Sequence, residues 1–250
     1  MALDFDSEHF LRRKTEISHN LEIVKSNIAR AAVASGRNPD DIKLIVVTKY
    51  YPTMDVCALA SLGQKDFAEN RVQDLMQKME ELDASTDLHW HMIGTLQRNK
   101  VKYISGQVDL IHSVDSIRLA HEIHKRAILN GKRENILFQL NITGEETKHG
   151  FNPKHLDEAF KELSELDGLV LKGFMTMSAL GASTQDIEHT FIQTQNLFYQ
   201  YKERLTPEQR KAFTELSMGM SDDYELAVRS GATLIRVGSA ILKSRTDDLY

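Results

Sequence analysis

The protein has 250 residues, 41% hydrophobic and 27% charged, with 4 Pro, 1 Cys and a formal net charge of -5. With a pI near 6.1 it is too acidic to have nucleic acid as its main partner. Its one cysteine, Cys57, excludes an internal disulfide and supplies no metal-ligand cluster. No apolar run approaches the roughly 18 residues a membrane span requires. The start, Met1-Ala-Leu-Asp-Phe-Asp-Ser-Glu-His9, is polar and acidic, unlike a signal or transit peptide. These readings predict a cytoplasmic protein that enters neither nucleic-acid complexes nor membranes.

An opening helix is expected from about 8 to 35, because Ile17, Leu21, Val24, Ile28 and Ala31 make one apolar stripe. Gly36 ends it and Asn38-Pro39 turns the chain. Leu44-Ile-Val-Val-Thr-Lys49 then reads as a strand buried on both faces, which implies a parallel sheet covered by helices. Ile45, Val47 and Lys49 share a face. An ammonium at the end of such a strand is solvated, paired or used chemically. Pro52 stops the strand, and Thr53 is placed to cap a helix near 54–62, where Cys57 reads as a small buried hydrophobe.

Asp66-Phe-Ala is a short strand, followed by Glu69-Asn70 and a helix with Val72, Leu75, Met76, Met79 and Leu82 inward. Leu88–Ile93 is the next strand, with His89, His91 and Ile93 on one face; two histidines without further ligands are weak grounds for a metal site. A helix from about 96 to 105 carries Arg98-Asn-Lys-Val-Lys102, a basic run that reads as a solvated face. Asp109–Ser113 and Ile136–Ile142 are strands around a helix packed through Ile117, Ala120, Ile123 and Ala127. Gln139 and Asn141 share one face, as a polar barrel interior requires.

After the loop Gly144–Gly150 come a helix near 154–166, a strand Leu169–Met175 and a long helix from Ile187 to Leu205. Glu215–Met218 is the seventh strand, opening into Gly219-Met220-Ser221, with Ser221 placed to cap a helix that begins with Asp222 and Asp223. Thr233–Val237 is the eighth, and Gly238-Ser239-Ala240 opens a last short helix. Eight strand signals, most followed by a helix and none separated by a linker, predict a single-domain (β/α)8 barrel over 1–250 with an extra N-terminal helix.

In such a barrel the working groups stand at the carboxyl ends of the strands. Here these are Lys49, Asn70, His91 to Gly94, His112, Asn141, Met175 to Ser178, Ser217 to Gly219, and Gly238 with Ser239. The loops after the last two strands are the habitual phosphate site of the fold, and both carry glycine and serine. Together with Lys49 they imply a phosphorylated ligand that can meet an amine. Arg236 interrupts an apolar strand, either as a buried salt bridge or as a guanidinium aimed at a bound ring. An arginine facing a pyridine nitrogen would keep that nitrogen unprotonated.

At this point the chain resembles the pyridoxal-phosphate homeostasis proteins, whose fold is similar to the alanine racemase barrel domain. The resemblance rests on Val47-Thr-Lys49, Ala68-Glu-Asn70, Trp90–Lys100, His112–Asp115, Gln139–Ile142, Lys148–Gly150, Leu216–Asp222 and Ile235–Ala240. It implies that Lys49 carries pyridoxal 5'-phosphate as an imine and that Asn70 lies beside the cofactor. It further implies that Ser217, Gly238 and Ser239 hold the phosphate while Arg236 faces the pyridine nitrogen. The expected role is that of a monomeric, non-catalytic carrier, with apo-enzymes that use the cofactor as acceptors. An amino-acid racemase is the alternative: it needs a second proton donor, a tyrosine that the similar racemases take from an additional domain, and the barrel consumes this chain. A Schiff-base aldolase would explain the lysine and phosphate loops but not Arg236.

Overall fold

The computed structural model describes residues 7–82, 87–144, 149–179 and 181–243. Eight parallel strands close a barrel in sequence order. They are β1 (Lys43–Val47), β2 (Asp66–Glu69), β3 (His89–Met92) and β4 (Leu110–Val114), then β5 (Glu134–Gln139), β6 (Leu169–Met175), β7 (Glu215–Ser217) and β8 (Leu234–Val237). The helices are α1 (Glu8–Ala34), α2 (Thr53–Ser61), α3 (Val72–Glu81), α4 (Val101–Ile104), α5 (Ile117–Leu129), α6 (Leu156–Ser164), α7 (Thr184–Lys202), α8 (Pro207–Ala212), α9 (Tyr224–Arg229) and α10 (Ser239–Leu242). Among the described residues no helix is long and apolar enough to cross a membrane.

Strand alternation divides the core in two. Leu44, Val46, Trp90 and Met92 face the helices, while Ile45, Val47, Ala68, Leu110, Leu137, Met175 and Leu234 fill the barrel with Ile93 at the edge. The ring closes where β1 pairs with β8, with Ile45 opposite Arg236 and Val46 opposite Val237. Lys49 and Arg236 therefore come from neighbouring strands although 187 positions of sequence separate them (236 − 49).

Helix α1 lies across that seam, against α2, α9 and α10. Arg13 donates to Asp55 Oδ2 at 2.8 Å and to the Leu242 carbonyl at 2.5 Å, and Asn20 donates to the Ile241 carbonyl at 3.1 Å. These are carbonyls that the end of a short helix leaves without partners. The additional helix thus secures the element that follows β8.

Several local expectations change. Thr53 is the first residue of α2, and its hydroxyl bonds Glu81 on α3 instead of capping the helix. The expected helix over 96–105 shrinks to a short turn, Arg98–Lys100, and the single turn of α4. Helix α8 goes unanticipated, although Thr206-Pro-Glu-Gln209 spells its capping box. Helix α9 starts only at Tyr224, after Asp223, so Ser221 does not cap it. Residues 145–148 of the Gly144–Gly150 loop, Lys148 among them, lie outside the described residues.

Candidate functional site

The β strands end in a cavity of about 890 Å³ whose walls include Lys49, Asn70, Gln139, Asn141, Arg236, Gly238 and Ser239. Lys49 sits in a turn closed by the Tyr51 N–H, which donates to the Thr48 carbonyl at 3.0 Å. The next residue, Tyr50, has φ 72. This left-handed conformation costs a non-glycine residue roughly 1–2 kcal/mol, and such strain gathers at functional sites.

A second contact holds the same carbonyl. Lys78, buried on α3, donates from Nζ to the Thr48 carbonyl at 2.7 Å and pairs with Glu69. Thr48 Oγ1 donates to Glu69 Oε1 at 2.7 Å, so both groups of Thr48 are engaged by one ion pair. Glu69 and Thr48 are fully buried. Beyond Glu69, the Asn70 side chain borders the cavity, and its Oδ1 is buried without a hydrogen-bond partner. Gly94 permits this approach of two loops: a Cβ there would stand 2.1 Å from the Asn70 carbonyl oxygen.

On β8, the strand next to β1, Arg236 is buried and has no carboxylate within ion-pair distance among the described residues. Its Nη1 donates to Ser217 Oγ at 2.5 Å and its Nη2 to the Thr176 carbonyl at 3.0 Å. Burial lowers the guanidinium pKa to about 10, against the opposing field of Asp223, and leaves it charged at neutral pH. The salt-bridge alternative for Arg236 is thereby replaced by hydrogen bonds to neutral oxygens.

Ser217 stands below the cavity instead of on its wall. Its fully buried hydroxyl is taken by Arg236 and by His112, whose Nδ1 is 2.8 Å away. From the loop after β7 it is Ser221, not Ser217, that lines the cavity. Its hydroxyl borders the cavity and accepts from the N–H groups of Gly238 at 3.4 Å and Ala240 at 3.2 Å. The loops after β7 and β8 are thus tied together by Ser221. Asp223, which accepts from Ser178 Oγ and the Met220 N–H at 2.6 Å each, braces the first of them.

The family that describes the alanine racemase N-terminal domain matches residues 19–246. The pyridoxal phosphate homeostasis protein of Aquifex aeolicus is 38% identical over 225 residues, covering 90% of this chain and 96% of its own. That of Escherichia coli is 33% identical over 232 residues, covering 92% and 97%. The chain belongs to the pyridoxal phosphate homeostasis protein family. The structure of PipY from Synechococcus elongatus with pyridoxal phosphate bound has a TM-score of 0.75 at 34% identity, covering 86% of this chain and 99% of that one. Alanine racemase from Clostridium difficile shares the fold alone, with a TM-score of 0.67 at 14% identity.

Within this homeostasis-protein barrel, Lys49, Asn70, Arg236, Gly238 and Ser239 meet at one cavity, and Ser217 does not reach it. Sequence pattern does not single out Lys78, and it assigns Ser221 to a helix cap that the structure does not form. Lys78 looks like any helical lysine, and its burial depends on where α3 lies. Ser221 could have been found from its place in a Gly-Met-Ser loop facing a second Gly-Ser loop.

Proposed function

We propose that this protein is a non-catalytic carrier of pyridoxal 5'-phosphate, acting in intracellular homeostasis of that cofactor and holding it as an imine on Lys49. The observation that carries the reading is the pairing of a cavity lysine on the β1 end with a buried, donor-only guanidinium on β8. Relatives named for pyridoxal phosphate homeostasis and the ligand-bound PipY structure support it.

The residues present fit the cofactor. Lys49 offers the amine, Arg236 offers N–H donors to a ring nitrogen, and the Asn70 oxygen awaits a donor. Gly238, Ser239 and Ser221 offer backbone and hydroxyl groups to a phosphate. Bound pyridoxal phosphate supplies an aldehyde for the amine and an electron-withdrawing ring. Arg236 opposes that second property, because a guanidinium donates a hydrogen bond and does not pass its proton to the ring. The tyrosines at the cavity wall, Tyr50 and Tyr51, both follow Lys49 directly in its own turn, a poor arrangement for a proton donor on the opposite face. Acceptor apo-enzymes, a monomeric state and a cytoplasmic location belong to the same proposal.

Borohydride reduction of the protein loaded with pyridoxal 5'-phosphate, followed by peptide mass mapping, tests the attachment. The modified peptide should contain Lys49. Incubation of the loaded protein with L-amino acids in D₂O tests the non-catalytic role, since multiple-turnover racemisation would overturn it.

A further inference from the structure

A line of polar side chains runs through the interior of the barrel, from the cavity toward its opposite mouth. Arg236 Nη1 donates to Ser217 Oγ at 2.5 Å, Ser217 Oγ lies 2.8 Å from His112 Nδ1, and His112 Nε2 lies 3.0 Å from His91 Nδ1. His91 Nε2 reaches Asp66 Oδ1 at 3.2 Å. His91, His112, Ser217 and Arg236 are all buried, and Asp66 opens onto a basin at the amino-terminal mouth of the barrel. The barrel interior around them holds an apolar cluster that includes Ile45, Leu110, Leu137, Met175 and Leu234, where a polar group is costly unless it is hydrogen-bonded.

The ends of the line fix its direction. A guanidinium only donates, so the Ser217 hydroxyl accepts from Arg236. Its own O–H is fully buried and, among the described residues, has His112 Nδ1 as the acceptor within reach, so it donates there rather than go unpaired. A carboxylate only accepts, so His91 carries its proton on Nε2, toward Asp66. Between them a neutral His112 is left with its proton on Nε2, donated to His91 Nδ1. Burial, with the neighbouring Arg236 guanidinium, holds His112 well below its ordinary value of 6.5, which keeps it neutral. Burial pushes the Asp66 carboxyl up, but the His91 hydrogen bond and the Lys43 ammonium bring it below its ordinary value, which keeps it an acceptor.

We infer that Ser217, His112, His91 and Asp66 are positioning residues, a one-way hydrogen-bond relay that holds the Arg236 guanidinium at the cavity floor. The charge on Arg236 has no direct carboxylate partner, and the relay joins it to Asp66 through neutral groups that can polarise only one way. Two anchors, Ser217 Oγ and the Thr176 carbonyl, then leave the guanidinium one orientation. The inference rests on the carrier reading for what Arg236 faces, but the relay itself is a property of the protein without ligand.

Two measurements separate those questions. Two-bond nitrogen–proton correlation spectra of ¹⁵N-histidine protein without cofactor, assigned with His91→Gln and His112→Gln variants, should show both imidazoles neutral with the proton on Nε2 at pH 7.5. A proton on Nδ1 of His112, or a charged imidazole at either position, overturns the relay whatever the protein binds. Ser217→Ala should then shift the absorbance band of bound pyridoxal 5'-phosphate and weaken its binding about tenfold. Ser217→Thr, which keeps the hydroxyl, should restore both. An unshifted band and unchanged binding in Ser217→Ala overturn the positioning role even if the tautomers are as expected. Absence of pyridoxal phosphate binding by the unaltered protein strikes the carrier reading and, with it, the positioning role toward that ring, leaving the tautomer result standing.

Discussion

Lys78 donates to the carbonyl of Thr48 at 2.7 Å, so a buried ammonium from the third helix grips the residue that precedes the cavity lysine. The same ammonium pairs with Glu69, the last residue of β2, next to Asn70. One ion pair therefore sets two elements of the cavity wall. Removing one partner of a buried pair leaves an uncompensated charge, which typically costs about 3–5 kcal/mol. Lys78→Met should lower the stability measured by denaturant unfolding by that amount. The double variant Lys78→Met with Glu69→Leu should recover most of it, because neutral groups of similar volume need no solvation.

Lys49→Ala should fold normally, since the residue sits in an exposed turn and not in the barrel core. It should also lose the yellow colour expected of the loaded protein. Absorbance and unfolding curves measured on one preparation check both halves, and a persistent imine band in the variant would contradict the assignment to Lys49.

Ser221→Ala combined with Ser239→Ala should weaken binding of pyridoxal 5'-phosphate at least tenfold, because each hydrogen bond to an anionic phosphate is worth roughly 1.5–3 kcal/mol. Unphosphorylated pyridoxal should bind the double variant almost as before. Titration with the two ligands checks this, and equal losses would move the phosphate elsewhere in the cavity.

His112 makes stability depend on pH. Its folded pKa is lowered well below 6.5, first by burial and then by the neighbouring Arg236 guanidinium. The unfolded chain therefore binds a proton that the folded protein refuses, and stability falls as pH drops below about 6.5, by up to about 1.4 kcal/mol per pH unit. Above that value the contribution is fully present. Asp66, lowered in its turn, adds a loss only in the more acidic range below its ordinary 3.8. Denaturant unfolding between pH 5 and 7.5 should show the slope, and His112→Gln should flatten it.

The eight strands were legible because each is a short apolar run with its own punctuation, and β-strand alternation already put Ile45 and Val47 on one face with Lys49. Fold class, and the meeting of Lys49, Asn70, Gly238 and Ser239 at one cavity, follow from such local signals, since a barrel of this kind places strand ends together by construction. Helix starts were less secure. Thr53 and Ser221 are both acceptable caps by type, and a nearby partner took each hydroxyl for another purpose.

By itself the sequence determined the order of elements, the lysine at the first strand end and the glycine-serine loops at the last two. Tertiary structure alone decided which polar groups are buried against which. Ser217 is one residue in a promising loop until β7 lies beside β8, and there Arg236 and His112 use both sides of its hydroxyl. Lys78 is one more helical lysine until α3 carries it under Thr48. In each case the deciding quantity is the desolvation of a polar group, which depends on closing the barrel and not on any local pattern.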